Sequence, residues 1–363
     1  MHDNSTYCSL STSAWDDRNK SMCCFADLPK FENFKQMHDS KEVKQLIQDL
    51  KKGIKNPICK ICWDTEESGM VSMRQQSLRN EHRQKTESDF TKEIAENKLK
   101  YLVFDTGSQC NFACRTCGPW SSTGHAKEWK EKHGQDWPQK VVDLNAILDQ
   151  DLSEVKNIEV LGGEPFVNLA HLKVIDKIKD SNPYWLTYTT NGSVKLRQEI
   201  LDKFKHFKAV NICLSIDATG KPFEYIRTLG KWESVESNID SLLQQKLTYK
   251  NLSVNCHITV SALNILYLKD LLDWCDSKKL TYDFTYAYYP NEYSFDIFDD
   301  NEKQEIKNIL TNDPRCNPLI SYLDKANFDN KERVQFKESV EFTKKYRKLD
   351  LKEYLPRLYN LVM

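Results

Sequence analysis

Tyr101-Leu102-Val103-Phe104-Asp105-Thr106-Gly107-Ser108-Gln109-Cys110-Asn111-Phe112-Ala113-Cys114-Arg115-Thr116-Cys117 decides how this chain is read. Its first five residues read as a β-strand. A loop with three cysteines in eight residues follows. Three thiolates can hold three irons of a cubane cluster and leave the fourth without a protein ligand. An iron with open positions can bind a small molecule, so such a site can be reactive and not only structural. Taken alone, the loop can also hold zinc, with His125 as a fourth ligand.

Outward from this loop the chain alternates strand and helix. Further strands are expected at 158–162, 185–190, 210–217, 252–260 and 282–288. Helical patterns lie between them, at 169–179, 198–204, 232–245 and 266–277. Alternation of this kind implies parallel βαβ units. Six units suit an open, partial TIM-like barrel better than a closed eight-unit one. The fold class is therefore α/β, a partial (β/α)6 barrel. Val210, Ile212, Leu214 and Ile216 alternate with Asn211, Cys213, Ser215 and Asp217. Leu252, Val254, Cys256, Ile258 and Val260 alternate with Ser253, Asn255, His257 and Thr259. Alternate side chains point to opposite faces. The apolar row should pack under helices, and the polar row should line a lumen that holds a polar ligand. Asn255, His257, Tyr286 and Tyr288 are expected to reach into it, with Cys213 on the same row.

In βα barrels reactive groups sit at the C-terminal ends of strands. Gly162-Gly163-Glu164-Pro165, Thr190-Asn191-Gly192, Ser215 with Asp217, and Asn264 all fall there, as does the three-cysteine loop. The loop and the Gly-Gly-Glu-Pro run together resemble the radical S-adenosylmethionine (SAM) superfamily over about residues 98–290. The resemblance implies that Cys110, Cys114 and Cys117 bind a [4Fe-4S] cluster and that SAM chelates its open iron. It implies reductive cleavage of SAM to a 5′-deoxyadenosyl radical that abstracts a substrate hydrogen. It assigns Gly162, Gly163, Glu164 and Pro165 to the SAM amine, Ser215 and Asp217 to its carboxylate or ribose, and Asn191 to the adenosyl end. The residue before the third cysteine is often aromatic in the family, but here it is Thr116. A flavodoxin or ferredoxin would be the reductant.

A second cysteine group precedes the barrel: Cys8, Cys23-Cys24, and Cys59-Lys60-Ile61-Cys62, followed by Trp63, Glu66 and Gly69. It resembles the auxiliary-cluster module called twitch or SPASM-like. The implied ligands to a second Fe–S cluster are Cys8, Cys23, Cys59 and Cys62. The same four can hold a structural zinc. Cys213, Cys256, Cys275 and Cys316 are scattered and read as small core residues.

The expected organisation is a cysteine-rich auxiliary unit with its connector at 1–92, the core barrel at 93–300, and a helical C-terminal extension at 301–363. An amphipathic helix is expected within 35–53, with Val43, Leu46, Ile47 and Leu50 on one face, and a solvated helix or connector at 75–97. Net charge is −1, from 52 basic and 53 acidic residues, which argues against nucleic-acid binding by bulk charge. No run approaches the roughly 20 apolar residues that span a bilayer. Clustered cysteines among 12, without an apolar signal core, point to a reducing, cytoplasmic setting. Three functions follow: a radical SAM enzyme acting on a peptide or protein, one acting on a small molecule in cofactor or sugar biosynthesis, or a non-catalytic Fe–S or zinc protein.

Overall fold

Seven parallel strands form one sheet in sequence order. They are β1 Ala14–Asp16, β2 Tyr101–Asp105, β3 Asn157–Leu161, β4 Trp185–Thr190, β5 Ala209–Ser215, β6 Leu252–Val260 and β7 Thr281–Tyr286. The computed structural model describes residues 6–67, 72–79, 87–138, 142–287 and 289–363. Tyr288 and Gly69 lie outside them. Among the described residues β1 and β7 are the two edges, so the sheet is an open, partial barrel.

The period-two pattern separates the two faces. Leu186, Tyr188, Val210, Ile212 and Leu214 are fully buried beneath helices, whereas Thr187, Asn211, Cys213 and Ser215 on the other face are only half buried. Register places Asn211 beside Thr187 and Ser253, and Ser215 beside His257. The polar row is thus continuous across the sheet. Outer-row Tyr188 sends its hydroxyl to buried His171 Nε2 at 3.0 Å, while the His171 Nδ1 lies 3.0 Å from the Asn168 carbonyl. Burial depresses the His171 pKa to about 4. The unfolded chain then binds a proton that the native ring refuses, so stability falls as pH drops from about 6.5 toward about 4. A loss of about 2 kcal/mol between pH 7 and pH 5 is expected from this group. Urea midpoints of wild type and His171→Gln at both pH values measure it.

The barrel has seven strands where six were expected. The additional one, β1, comes from the N-terminal cysteine-rich region and pairs with β2 through Ala14–Tyr101 and Asp16–Val103. Trp15 is fully buried, and Cys8, Met22, Val43 and Leu46 share the core with Leu102 and Phe104. The expected helix at 35–53 is two, Phe34–Asp39 and Lys41–Lys51, because the Ser40 hydroxyl accepts from the Val43 N–H and starts a new helix. The polar stretch at 75–97 holds helices Met73–Arg79 and Glu87–Glu96, with 80–86 outside the described residues. It is tied to the barrel, since Glu93 accepts from the Thr12 hydroxyl at 3.2 Å and pairs with Lys100 at 3.7 Å.

At the other end, helix Asp300–Leu310 opens with a capping box between Asp299 and Glu302. Phe336 and Val340, on helix Asn330–Arg347, join the same core. Among the described residues no helix is long and apolar enough to cross a membrane.

Candidate active site

The three-cysteine loop is held from three sides. Thr228 and Ile226 carbonyls accept from Ala113 and Arg115 N–H groups at 2.9 and 2.7 Å. The Ser122 hydroxyl donates to the Phe112 carbonyl and caps helix Thr123–His133. Gly163 and Glu164 donate backbone N–H bonds to the Gly107 and Gln109 carbonyls at 2.7 and 2.8 Å. A Cβ on Gly163 would stand 2.3 Å from the Gln109 oxygen, and one on Gly162, at φ +142°, 2.4 Å from Thr106 Oγ1. These glycines therefore let β3's end press against the cysteine loop.

The sulfurs sit among hydrogen-bond donors. The Phe112 N–H lies 3.4 Å from Cys110 Sγ, Asn191 Nδ2 3.8 Å from the same sulfur, and Arg227 Nη1 3.7 Å from Cys114 Sγ. Cys117, as a thiol, donates to the Gly118 carbonyl at 3.8 Å. Burial and neighbouring thiols push Cys110 up to about 12 and Cys117 up to about 11, and burial raises Cys114. Thiols this reluctant to ionise alone need a bound cation to become thiolates. Hydrogen bonds to sulfur are what tune a thiolate-bound cluster. Among the described residues no three His, Cys, Asp or Glu side chains close around a single ion position. A mononuclear zinc site needs thiolates about 3.8 Å apart, from its 2.3 Å bonds. A cubane puts each thiolate on its own iron, so the donor set fits the cluster. His125 is not placed as a fourth ligand, because Nε2 faces the Cys114 carbonyl and Nδ1 lies 3.6 Å from Glu128.

Glu164 is buried, with both oxygens engaged. Oε1 accepts from the Thr190 hydroxyl at 2.8 Å and the Phe166 N–H at 3.1 Å, and Oε2 from the Asn191 N–H at 2.7 Å. It positions Asn191 beside Cys110. Glu164→Ala orphans three donors and is expected to cost about 3 kcal/mol or more, at 1–3 kcal/mol per unsatisfied group, read as a lowered urea midpoint.

Asp217, past the end of β5, is also buried. Its carboxylate accepts from the Thr259 N–H at 2.9 Å and stands 2.7 Å from Arg227 Nε, an ion contact without hydrogen-bond alignment. Asp217 is therefore engaged by the protein and reaches Cys114 only through Arg227. Asn264 is structural, its amide holding the Asp217 and Thr259 carbonyls at 2.9 Å each.

Arg227 is the residue that sequence reasoning missed. It sits between Asp217 and Cys114, and these neighbours hold its pKa well above the usual range against the cost of burial. Only the loop's fold brings it there. Nearby, Arg115 and Arg347 share buried Glu128, and Arg115 reaches Thr343, so helix Asn330–Arg347 clamps the loop.

The N-terminal cysteines converge. Cys23 interacts with Cys8 and Cys59, and Cys8 and Cys59 with Cys62. Backbone N–H groups of Leu10, Phe25 and Arg74 serve Cys8, Cys23 and Cys62, while the Ser11 N–H goes to the Cys8 carbonyl at 3.1 Å and the Ser72 hydroxyl to Glu66 at 2.5 Å. Buried Arg74 stacks on Trp63 and bonds Glu66 at 2.8–2.9 Å. Cys24 turns away, toward Arg18, Asp16 and Glu159. By contrast, core Cys256 donates to the Ile216 carbonyl at 3.7 Å.

In the lumen, Cys213 accepts from Asn255 Nδ2 at 3.7 Å, and His257 pairs with Asp283 and lies 3.1 Å from Thr285 Oγ1. Tyr286 is on the opposite face. It pairs in register with outer-row Val260 and stacks on Tyr322 at 3.6 Å.

Comparison with known proteins agrees with the barrel assignment. Residues 105–275 match the family model described as Radical SAM superfamily. The chain is 28% identical over 170 residues to a probable GTP 3',8-cyclase of Methanococcus maripaludis, covering 46% of this chain and 52% of that one. It is 29% identical over 122 residues to a probable GTP 3',8-cyclase of Methanocaldococcus jannaschii, covering 33% and 39%. The chain thus spans about half or less of the length of these curated relatives. The solved structure of Streptococcus suis SuiB bound to precursor peptide SuiA covers 77% of this chain and 64% of its own, at 16% identity and TM-score 0.37. Native anSMEcpe with bound AdoMet and Kp18Cys peptide gives 63% and 62%, at 15% identity and TM-score 0.41. Likeness at those scores carries no argument about function. With the three-cysteine loop at its head, the segment 105–275 is similar to the radical SAM superfamily domain over somewhat less than half of the chain.

Proposed function

We propose that Cys110, Cys114 and Cys117 hold a [4Fe-4S] cluster whose open iron binds SAM, above a polar lumen that receives the substrate. The observation that carries this is three cysteines on one loop at the C-terminal end of β2, with donors aimed at the Cys110 and Cys114 sulfurs. When bound, the cluster supplies the electron that splits SAM and so yields the radical that takes a substrate hydrogen. The chain's own residues orient and exclude. Arg227 offers a buried cation beside Cys114, suited to the carboxylate of SAM. Glu164 fixes Asn191 at the rim of the Cys110 side. Gly162, Gly163 and Pro165 shape the edge where the amine sits. Ser215 and Asp217 line the β5 side, Asp217 acting by holding Arg227. The Arg115–Glu128–Arg347 clamp keeps the loop closed to water.

A second Fe–S cluster on Cys8, Cys23, Cys59 and Cys62, the twitch or SPASM-like arrangement, is supported by their convergence and by the outward turn of Cys24. All described cysteines are free thiols, which favours a reducing, cytoplasmic setting with a flavodoxin or ferredoxin as reductant. The test is 5′-deoxyadenosine formation from SAM by the reduced, anaerobically reconstituted protein. A colourless protein holding about two zinc ions and no sulfide would instead support a binding scaffold.

A further inference from the structure

A cavity of about 140 Å³ lies between the turn at Met22–Cys24 and the lumen face of β2–β4. Asp16, Tyr101, Glu159, Trp185 and Thr187 form its strand wall, and Arg18 and Cys24 come from the turn beyond β1. Glu159 accepts one hydrogen bond, from the Tyr101 hydroxyl at 3.0 Å. A carboxylate has about four acceptor positions, so the group is under-used. Asp16, by contrast, is taken by Arg18 N–H, Asn19 N–H and Asn19 Nδ2. The lumen rows of β2–β7 contain no Lys or Arg, and His257, their one basic side chain, is paired with Asp283. A nucleoside triphosphate, with about four negative charges, would meet Glu159 and Asp283 there and, among the described residues that line the cavity, only Arg18 as a cation.

We propose that this chamber binds the cationic end of the substrate, an amine or guanidine on a short aliphatic chain, and does not bind a nucleoside triphosphate. This rests on the reading of the lumen as the substrate chamber. Glu159 takes the cation's N–H groups, and the Tyr101 and Trp185 rings flank it, the combination that recognises organic cations. Burial raises the Glu159 pKa, and a bound cation would hold the carboxyl ionised. Arg18 lines the same cavity, close enough for its charge to favour ionised Glu159, and is suited to the carbonyl or carboxylate of the same ligand. That describes a lysine- or arginine-like group, free or within a peptide.

The test is isothermal titration of the reconstituted holoprotein, with SAM present, using L-lysine, Nα-acetyl-L-lysine amide and GTP as separate probes. Saturable binding of either lysine probe, weakened at least ten-fold in Glu159→Gln with unchanged iron content, is expected. The tighter of the two lysine probes separates a free amino acid from a peptide side chain. Lysine binding unaffected by Glu159→Gln, or absent for both lysine probes, overturns the proposal, as does saturable GTP binding. Binding is scored apart from SAM cleavage. A protein that cleaves SAM but ignores both lysine probes defeats this inference alone, and one that binds lysine without cleaving SAM defeats the assignment of the cluster site alone.

Discussion

Replacing Cys110, Cys114 and Cys117 together with alanine is expected to reduce 5′-deoxyadenosine formation to background and to leave about half of the reconstituted iron, the share of one of two cubanes. The argument is local. The three sulfurs lie on one loop between β2 and helix Thr123–His133, and that loop is anchored by backbone bonds to 226–228 and 163–164 that do not involve the thiols. Removing the sulfurs should therefore spare the fold and remove the metal. The N-terminal group draws on different chain, Cys8, Cys23, Cys59 and Cys62, with its own donors from Leu10, Phe25 and Arg74. Its iron should persist. Iron and sulfide analysis beside a chromatographic assay of the nucleoside gives both readings. Unchanged cleavage would overturn the assignment of these cysteines.

Arg227→Met should be the most damaging substitution outside the cysteines. Asp217 is 1% exposed, and its charge is balanced by the guanidinium 2.7 Å away. Stripping one partner from a buried pair costs about 3–5 kcal/mol, because the remaining charge stays buried. The double variant Asp217→Asn/Arg227→Met leaves no uncompensated charge and should regain much of that stability. SAM affinity, measured by equilibrium dialysis, should stay low in the double variant, since the cation beside Cys114 is gone. Denaturation of the two variants separates the fold's use of Arg227 from the site's use. If both bind SAM as wild type does, Arg227 has no role toward the cofactor.

The long strands were legible because period two repeats several times in β5 and β6, with nothing but apolar residues on one row. The cysteine loop was legible because three thiolates in eight residues have few other uses. β1 was not, since Ala14-Trp15-Asp16 is too short to show a period, and its pairing depends on β2 from far along the chain. Tyr286 was misplaced because a tyrosine suits either face of an edge strand, and only the Val260 register and the Tyr322 stack decide between them. Glu164 and Asp217 were found at the right strand ends. Their partners, Asn191 and Arg227, come from loops whose approach no local pattern encodes. Cys23 is chosen over Cys24 by its position in the motif, and the turn sends Cys24 toward Arg18, Asp16 and Glu159.

The most direct measurement is the electron paramagnetic resonance spectrum of a Cys8→Ser/Cys23→Ser/Cys59→Ser/Cys62→Ser variant, reduced, with and without SAM. This variant should carry one cluster, on Cys110, Cys114 and Cys117. Addition of SAM should shift that cluster's signal, because the ligand occupies its unclaimed iron. A signal that SAM leaves unmoved, from a protein with four irons and four sulfides per chain, would contradict the account.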